Sequence, residues 1–366
     1  MKVKKLTLTN IGPFNKVELD LHSGVNIITG PNASGKSLLT KAPYFILLKV
    51  AGRENSGSLN SYCRKNATIL ATFETAIAEM PPELFLSSAT DDPGGLIFKQ
   101  VFSPMLPSQL VSSLQSFRQL KGKPTFVYIS PERGSVHSER LQTINNTTWR
   151  LQDTGTRFNH LRSLFQMLHD QTDEMDEKVR QIVQNHFTQD GQPLIFIKKS
   201  RTVPNTPNLA TDVHSLGSTH EVASAASGCM EILFIITETA LLKDSLIIID
   251  EPELHLHPLA QDMMSKYLDY LASPAGGSNQ VIVATHSLSI IYGHPTGKVF
   301  NLRRENGGGV AEPIIEDNIP CEPYTKAIKQ LGYYKDQFLE AITFWKKYHK
   351  LHPDLPPSGG WIDAYL

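Results

Sequence analysis

In Gly30-Pro31-Asn32-Ala33-Ser34-Gly35-Lys36-Ser37, two glycines five residues apart are followed at once by a lysine and a hydroxyl residue. Glycine lacks a Cβ, so the backbone between the two can curl until successive N–H groups point inward at phosphate oxygens. Lys36 would then reach the β- and γ-phosphates, and Ser37 Oγ would be a ligand for Mg²⁺. The predicted nucleotide-binding stretch is Gly30, Pro31, Asn32, Ala33, Ser34, Gly35, Lys36, Ser37 and Leu38. More than two hundred residues downstream, Leu246-Ile-Ile-Ile249 runs straight into Asp250-Glu251-Pro252. An apolar strand that ends in two acids sets Asp250 to hold Mg²⁺, directly or through water, and sets Glu251 to orient an attacking water beside the γ-phosphate. The chemistry these residues fit is phosphoryl transfer to water, with Lys36 and Glu251 as catalytic groups and Ser37 and Asp250 as metal ligands.

Such residues need a strand and a helix on either side of each loop. Val25–Thr29 is a short apolar run before the glycines, and from Lys36 the pattern Lys-Ser-Leu-Leu-Thr-Lys-Ala-Pro-Tyr-Phe-Ile-Leu-Leu reads as a helix that Pro43 kinks or shortens. Val3–Thr9 and Val17–Leu21 alternate as strands, joined by the turn-rich Asn10-Ile-Gly-Pro. Ala67–Thr75, Gly95–Phe102 and Phe126–Ile129 read as strands and Leu106–Leu120 as a helix. From Arg157 to Phe187, apolar residues at helical spacing, Val179, Ile182 and Val183 among them, predict an amphipathic lobe. Residues 200–219, with Pro204, Pro207 and Gly217, read as a surface loop. Helix Met230–Leu242, strand Leu246–Ile249, helix Pro258–Leu271 and strand Gln280–Ala284 then alternate as an α/β core does.

The composition narrows the field. The 366 residues carry 35 Lys+Arg against 36 Asp+Glu, a formal charge of −1, so no global electrostatic footprint for nucleic acid or membrane exists. At 40% hydrophobic, the chain can bury a large core, as one domain with an insertion or as two. Cys63, Cys229 and Cys321 lie far apart without C-x-x-C spacing, which argues against a disulfide scaffold or a cysteine zinc site. The N-terminus develops no signal-peptide run, and Ile232–Leu242 is too short for a membrane span, so a cytoplasmic protein with no membrane domain is expected.

The block Asp250-Glu-Pro-Glu-Leu-His-Leu-His257-Pro is similar to the D-E-P-E-x-x-L-H-P block of RecF-like and OLD-like ABC ATPases, where transporter subunits usually carry D-E-P-T-S-A-L-D. The chain as a whole resembles an ABC-type ATPase of the RecF, OLD and SMC-head group, within the AAA family. That resemblance implies an α/β ATPase head: a P-loop core sheet flanked by helices, an N-terminal β-rich subdomain and an inserted helical lobe. Its expected divisions are 1–133, 134–219 (the lobe and loop), 220–310 and 311–366 (a helical, aromatic tail). Thr285-His286-Ser287, after strand Val281–Ala284, matches the family's switch histidine, so His286 is expected to contact the γ-phosphate as a neutral donor. Ser224-Ala-Ala-Ser227-Gly228-Cys-Met-Glu231 stands where the signature L-S-G-G-Q begins its helix, and Gly228 lies 22 residues before Asp250, the family's spacing. Ser227 and Gly228 therefore take signature positions, while Cys229 and Met230 depart from the second glycine and the glutamine. His255 and His257 fall on the D-loop, and their spacing alone would also suit a metal pair. Phe126–Ser130 resembles the strand into the Q-loop, but no glutamine follows. Ser130 or Glu132 is one substitute and Arg133 a possible phosphate contact, with a plain turn the alternative.

In this family two heads close on two ATP·Mg²⁺, so the resemblance implies ATP and Mg²⁺ as cofactors and a head-to-tail homodimer. Two roles follow: a motor or clamp of DNA repair or antiphage defence acting on DNA, or a slow switch that holds a separate effector nuclease or toxin. A transporter subunit, which needs a membrane partner, is a third. Only residues 287–366 follow the switch histidine, which leaves no room for the TOPRIM nuclease of OLD enzymes, so effector chemistry is expected from another protein. Lys198, Lys199 and Arg201, then Arg303 and Arg304, then Lys346 and Lys347, are solvated faces or DNA contacts. The aromatic run Tyr333–Tyr348 reads as core, and Trp361…Tyr365-Leu366 as a docking element.

Overall fold

The computed structural model describes residues 2–50, 62–74, 83–88, 98–100, 126–129, 131, 173–189, 191–202, 209–215, 218–221, 227–292, 297–305 and 308–315. By internal contacts the chain divides into two units, Met1–Asn318 and Ile319–Leu366, and all described residues lie in the first. The predicted helix Leu106–Leu120, the first half of the Arg157–Phe187 lobe and the aromatic C-terminal tail lie outside them.

Along the chain come β1 (Lys2–Ile11), β2 (Phe14–Asp20), β3 (Val25–Thr29), α1 (Lys36–Val50), β4 (Cys63–Glu74), β5 (Glu83–Ser88), β6 (Phe98–Gln100) and β7 (Phe126–Ile129). Next are α2 (Asp173–His186), β8 (Thr188–Gln189), β9 (Gln192–Pro193), β10 (Phe196–Thr202), β11 (Leu209–Ser215) and β12 (Ser218–Glu221). The core is completed by α3 (Ser227–Thr239), β13 (Leu246–Asp250), α4 (Pro258–Ala272), β14 (Gln280–Ala284), α5 (Leu288–Tyr292), β15 (Lys298–Glu305) and β16 (Gly308–Ile315).

Two sheets carry the fold. The core sheet has the order β16-β15-β3-β14-β13-β7, and its strands from β15 to β7 run parallel, with β16 antiparallel on the edge. β3, β13 and β14 are buried along their whole length, which is why they read as mostly aliphatic runs rather than as polar–apolar alternations. The second sheet, β2-β1-β4-β5-β6, is antiparallel, and its alternating burial shows one face turned to the interior. Helix α1 lies between the sheets. Leu39, Tyr44, Phe45 and Leu47 pack in one apolar cluster with Leu6, Leu8 and Ile69 of the second sheet and with Ile28, Ile248 and Ile282 of the core sheet. The intervening residues Ile27, Ile249 and Val283 point to the opposite face, where α4 packs against β14 and β3.

Several sequence expectations are corrected. Pro43 neither ends nor shortens α1, which runs on to Val50, because burial of the turns on both sides holds the helix across the missing hydrogen bond. The described residues of the stretch 200–219 are strand rather than loop: β10, β11 and β12 form an antiparallel sheet there, with Val213 paired to Ile197 on one side and His220 on the other. The described residues of the insertion 134–219 are thus part helix, α2, and part sheet. These strands mix Thr, Asp, His and Ser with a few apolar residues, so the period-two signal that betrays a half-buried strand is weak. Arg303 and Arg304 lie within β15, and the core sheet extends past the expected boundary at 310 through β16. The α2 portion of the lobe does turn Val179, Ile182 and Val183 inward, and Lys178 Nζ donates to Tyr270 Oη of α4 at 2.9 Å.

Buried amides join the parts. Gln280, at the start of β14, accepts from Val3 N at 2.7 Å and donates to the carbonyls of Val3 and His22 at 2.8 Å each, bridging the two sheets. Asn279 beside it donates to the carbonyls of Leu242, Leu271 and Gly276 and accepts from Ser245 N, tying the ends of α3, α4 and β13 at one point. Among the described residues no helix is long and apolar enough to cross a membrane.

Replacing Gln280 with alanine takes this partner from two buried backbone groups at once, Val3 N and Val3 O, each costing about 1–3 kcal/mol unless water reaches it, while His22 O keeps its bond from Asn26 Nδ2. Gln280→Ala is expected to lower the unfolding free energy in urea by about 3 kcal/mol; a change within experimental error would show that the two sheets do not depend on this bridge.

Candidate functional site

The parallel register of the core sheet delivers three loops to one edge. β14 pairs with β13 so that Asp250 faces Ala284, and with β3 so that Ala284 faces Ile28; the chain therefore leaves β3, β13 and β14 side by side. After β3 comes Gly30–Ser37, after β13 comes Glu251–His257, and after β14 comes Thr285–Ser287. The C-terminal edge of a parallel sheet is the usual place for ligand loops in such folds.

The first loop is wound tight. Gly30, Ala33 and Gly35 all have positive φ, at 143°, 60° and 100°. A Cβ on Gly30 would meet Leu302 O at 2.4 Å, and one on Gly35 would meet the Phe14 ring at 2.7 Å, so both positions exclude any side chain. Phe14, fully buried, thus braces the loop from behind, and its own carbonyl accepts from Arg64 Nη2 at 2.6 Å. Lys36 Nζ donates back to Gly30 O at 2.9 Å and Pro31 O at 3.1 Å, spanning the mouth of the turn. Burial pushes the Lys36 ammonium below its ordinary pKa, while the nearby charges of Glu251, Asp250 and Glu253 oppose that shift. Ser34 is buried, and its Oγ has no hydrogen-bond partner.

Asp250 sits at the tip of β13, 1% exposed. Burial raises its pKa; hydrogen bonds from Ser37 and from Tyr128 Oη, the latter at 3.3 Å to Oδ2, act the other way. Ser37 and Asp250, expected as a pair of metal ligands, are therefore in contact. A hydroxyl and a carboxylate beside a phosphate cradle are the donor set that Mg²⁺ takes when the remaining positions belong to phosphate and water. The wound loop, the orphaned Ser34 hydroxyl and this pair all fit a Mg²⁺–nucleoside phosphate. Tyr128 comes from β7, the strand that resembles the approach to the Q-loop; its ring lies under Lys41 Nζ at 5.0 Å and against Tyr44. Ser130, Glu132 and Arg133 lie outside the described residues.

Glu251 departs from β-strand geometry. Its φ is +52°, unusual for a residue with a side chain, while its N–H still bonds Ala284 O at 2.8 Å. The kink turns the carboxylate out of the strand, half-exposed, with Oε1 3.9 Å from His286 Nε2. His286 is held below its ordinary pKa, chiefly by burial and then by the Lys36 charge, with Glu251 opposing; it is a neutral imidazole near pH 7. Lys36, Asp250, Glu251 and His286, predicted from three separate stretches, meet here.

The sequence did not single out Glu253. Its Oε1 accepts from His286 N at 2.6 Å and Ser287 N at 3.2 Å, fastening the third loop to the second. Gln261 of α4 adds a bond, accepting from Ser287 Oγ at 2.7 Å. The signal available in sequence was only the acidic second half of Asp-Glu-Pro-Glu, which by itself does not say where it points. Ser227 and Gly228 open α3, Ser227 exposed and Gly228 against the second loop, where a Cβ would meet His255 O at 2.6 Å. The structure thus sets the signature positions beside the D-loop segment of their own chain. His257 is the N-cap of α4, its Nδ1 accepting from Leu259 N at 3.4 Å, so this ring nitrogen is engaged in helix capping.

Residues 110–291 match the family model described as an AAA ATPase domain, and residues 1–75 match one described as an AAA domain. Over 88 residues the chain is 32% identical to the DNA replication and repair protein RecF of Lactococcus lactis subsp. lactis (strain IL1403), covering 24% of this chain and 25% of that protein. It is 33% identical over 88 residues to the Old nuclease of Escherichia phage P2, covering 24% of this chain and 14% of the nuclease. The matched stretches span a quarter or less of these curated relatives' length. In fold it is similar to the SmcHead crystallised with the C-winged helix domain of ScpA, at a TM-score of 0.56 and 14% identity, over 89% of this chain and 100% of that one. With the P-loop stretch and the stretch around Asp250 both matched by AAA models, and with the fold of an SMC head, the chain carries the two halves of an AAA-type ATPase domain and is similar to the ABC-type ATPase heads of the RecF, OLD and SMC-head group.

Proposed function

We propose that this head binds ATP with Mg²⁺ and hydrolyses it, using the residues gathered at the edge of the core sheet. The observation that carries the reading is the meeting of Lys36, Asp250, Glu251 and His286 from three loops that parallel register sets side by side. The backbone N–H groups from Asn32 to Leu38 would hold the phosphates within the loop that Gly30 and Pro31 open, and Ser37 and Asp250 would hold Mg²⁺. The cation would neutralise charge developing on the terminal phosphate. Glu251 orients the water and takes its proton, a role its half-exposed position and proximity to a neutral His286 support. His286 donates to the terminal phosphate and so distinguishes the nucleotide before and after cleavage. Lys36, freed from the Gly30 and Pro31 carbonyls, turns its charge to the β- and γ-phosphates.

The same reading makes the working unit a homodimer, with Ser227 and Gly228 of one copy closing on the nucleotide of the other. The exposure of Ser227 at the start of α3 supports this. The likeness to RecF, a DNA replication and repair protein, and to the Old nuclease supports a process on DNA, in repair or antiphage defence, with closure of the dimer as the ATP-dependent step. A second reading, a slow nucleotide switch that holds a separate effector nuclease or toxin, is favoured by Cys229 and Met230, which replace the second glycine and the glutamine of the signature.

Glu251→Gln keeps the shape of the site but removes the base. It is expected to cut ATP turnover by about 100-fold or more and, with ATP·Mg²⁺ bound, to double the molar mass by light scattering. Turnover at the wild-type rate would refute the assignment of Glu251, and a monomeric mass with ATP bound would refute the homodimer. Co-elution with a short duplex would favour the DNA reading over the effector switch. Gly35→Ala puts a Cβ where φ is +100° and the Phe14 ring already stands. Titration with a fluorescent ATP analogue should show binding weakened by at least about tenfold with the far-ultraviolet spectrum unchanged; wild-type affinity would show that the wound loop is not the phosphate cradle.

A further inference from the structure

The three loops at the sheet edge do not share a backbone ladder once they leave it, so something else must fix the third loop against the second. Glu251 N bonds Ala284 O at 2.8 Å, and beyond that point the strands part. Pro252 follows the positive-φ kink at Glu251, and the chain then turns back on itself, with Leu254 N bonding Glu251 O at 3.1 Å and Leu256 N bonding Glu253 O at 2.9 Å. This turn presents Glu253 to the loop after β14. Its Oε1 takes the N–H of His286 at 2.6 Å, a short charge-assisted bond, and that of Ser287 at 3.2 Å. Ser287 N also bonds Thr285 Oγ1 at 2.9 Å, so the shorter tie, to His286 N, is the one on which the clamp turns. Oε2 of the same carboxylate is buried without a hydrogen-bond partner.

We propose that Glu253 is a positioning residue for ATP hydrolysis: its carboxylate clamps the backbone of His286 so that the imidazole stands beside Glu251, and through Glu253 the orientation of the switch histidine depends on the Glu251–His257 segment. This rests on the proposed reaction but assigns a residue that reading does not use. Since the clamp grips backbone, substitution of the His286 side chain leaves it in place; since it acts only through His286, its catalytic effect vanishes when the imidazole is gone. A carboxamide retains an oxygen that accepts both N–H groups, whereas alanine retains none.

Two measurements test it. In nucleotide-free protein, amide hydrogen exchange at His286 and Ser287 should speed up by at least tenfold in Glu253→Ala and by much less in Glu253→Gln. Unchanged exchange in Glu253→Ala overturns the clamp whatever the turnover. In steady-state kinetics, Glu253→Ala should lower kcat by about 10- to 100-fold with KM changed less than threefold, Glu253→Gln should restore most of it, and Glu253→Ala should cost nothing more in a His286→Ala background. An equal loss in both backgrounds, or wild-type kcat in Glu253→Ala, overturns the positioning role. A wild-type protein that binds ATP without hydrolysing it would instead overturn the proposed reaction, and the exchange measurement would still decide the clamp.

Discussion

Parallel pairing in register is the constraint on which the site depends. β3, β14 and β13 lie next to each other, all run the same way and all end within a residue of one another, so the three loops that follow have no choice but to emerge together. No side chain of the site has to be brought there by a long detour. What remains for the loops is to aim their groups over a few ångströms. They do so with unusual backbone: positive φ at Gly30, Ala33, Gly35 and Glu251, and side chains that grip backbone, Lys36 on Gly30 and Glu253 on His286. The regular part of the structure sets position, and the irregular part sets direction.

The second sheet serves the first. Its β1–β2 turn lays Phe14 against both Gly35 and Gly309, so the phosphate loop is backed by a buried ring instead of solvent, and Gly309 N bonds Pro13 O at 2.7 Å. Gln280 binds the other end of β1 to β14. A loop wound into positive φ is strained, and strained backbone persists only when its surroundings over-determine it. Here the over-determination comes from a part of the chain with no catalytic residue of its own.

How much of this was legible in sequence depended on how each residue does its work. The strands β3 and β14 read correctly to the residue, because burial on both faces writes a short, mostly aliphatic run bounded by turn residues. The glycine-lysine spacing and the aliphatic-acid junction announced where chemistry could sit, since each is a local pattern with a physical reason. Glu253 was not legible as a clamp: its partners are backbone N–H groups more than thirty residues away, and a backbone donor leaves no mark in a sequence. Tyr128 was hidden for the opposite reason, as an aromatic in an apolar strand whose hydroxyl alone matters to Asp250. The strands of the insertion were missed because their polar residues carry no periodic contrast, and Pro43 misled because tertiary packing outweighed its local preference for ending a helix.

The place of β3 in the core sheet also governs how the chain can be made. Its two neighbours, β14 and β15, lie more than two hundred and fifty residues downstream, so a nascent chain leaving the ribosome carries this strand, buried along its whole length in the fold, and the wound loop after it, with both edges unpaired until those residues have been made. At about 5–20 residues per second, that is an exposure of some tens of seconds. The antiparallel β1–β2 hairpin can form early, but its long-range fastening to Gln280 must wait as well. Folding is thereby weighted toward late, non-local contacts, which are slow to form and prone to intermolecular pairing. Holding the early strands apart until β14 arrives is the natural task of a chaperone.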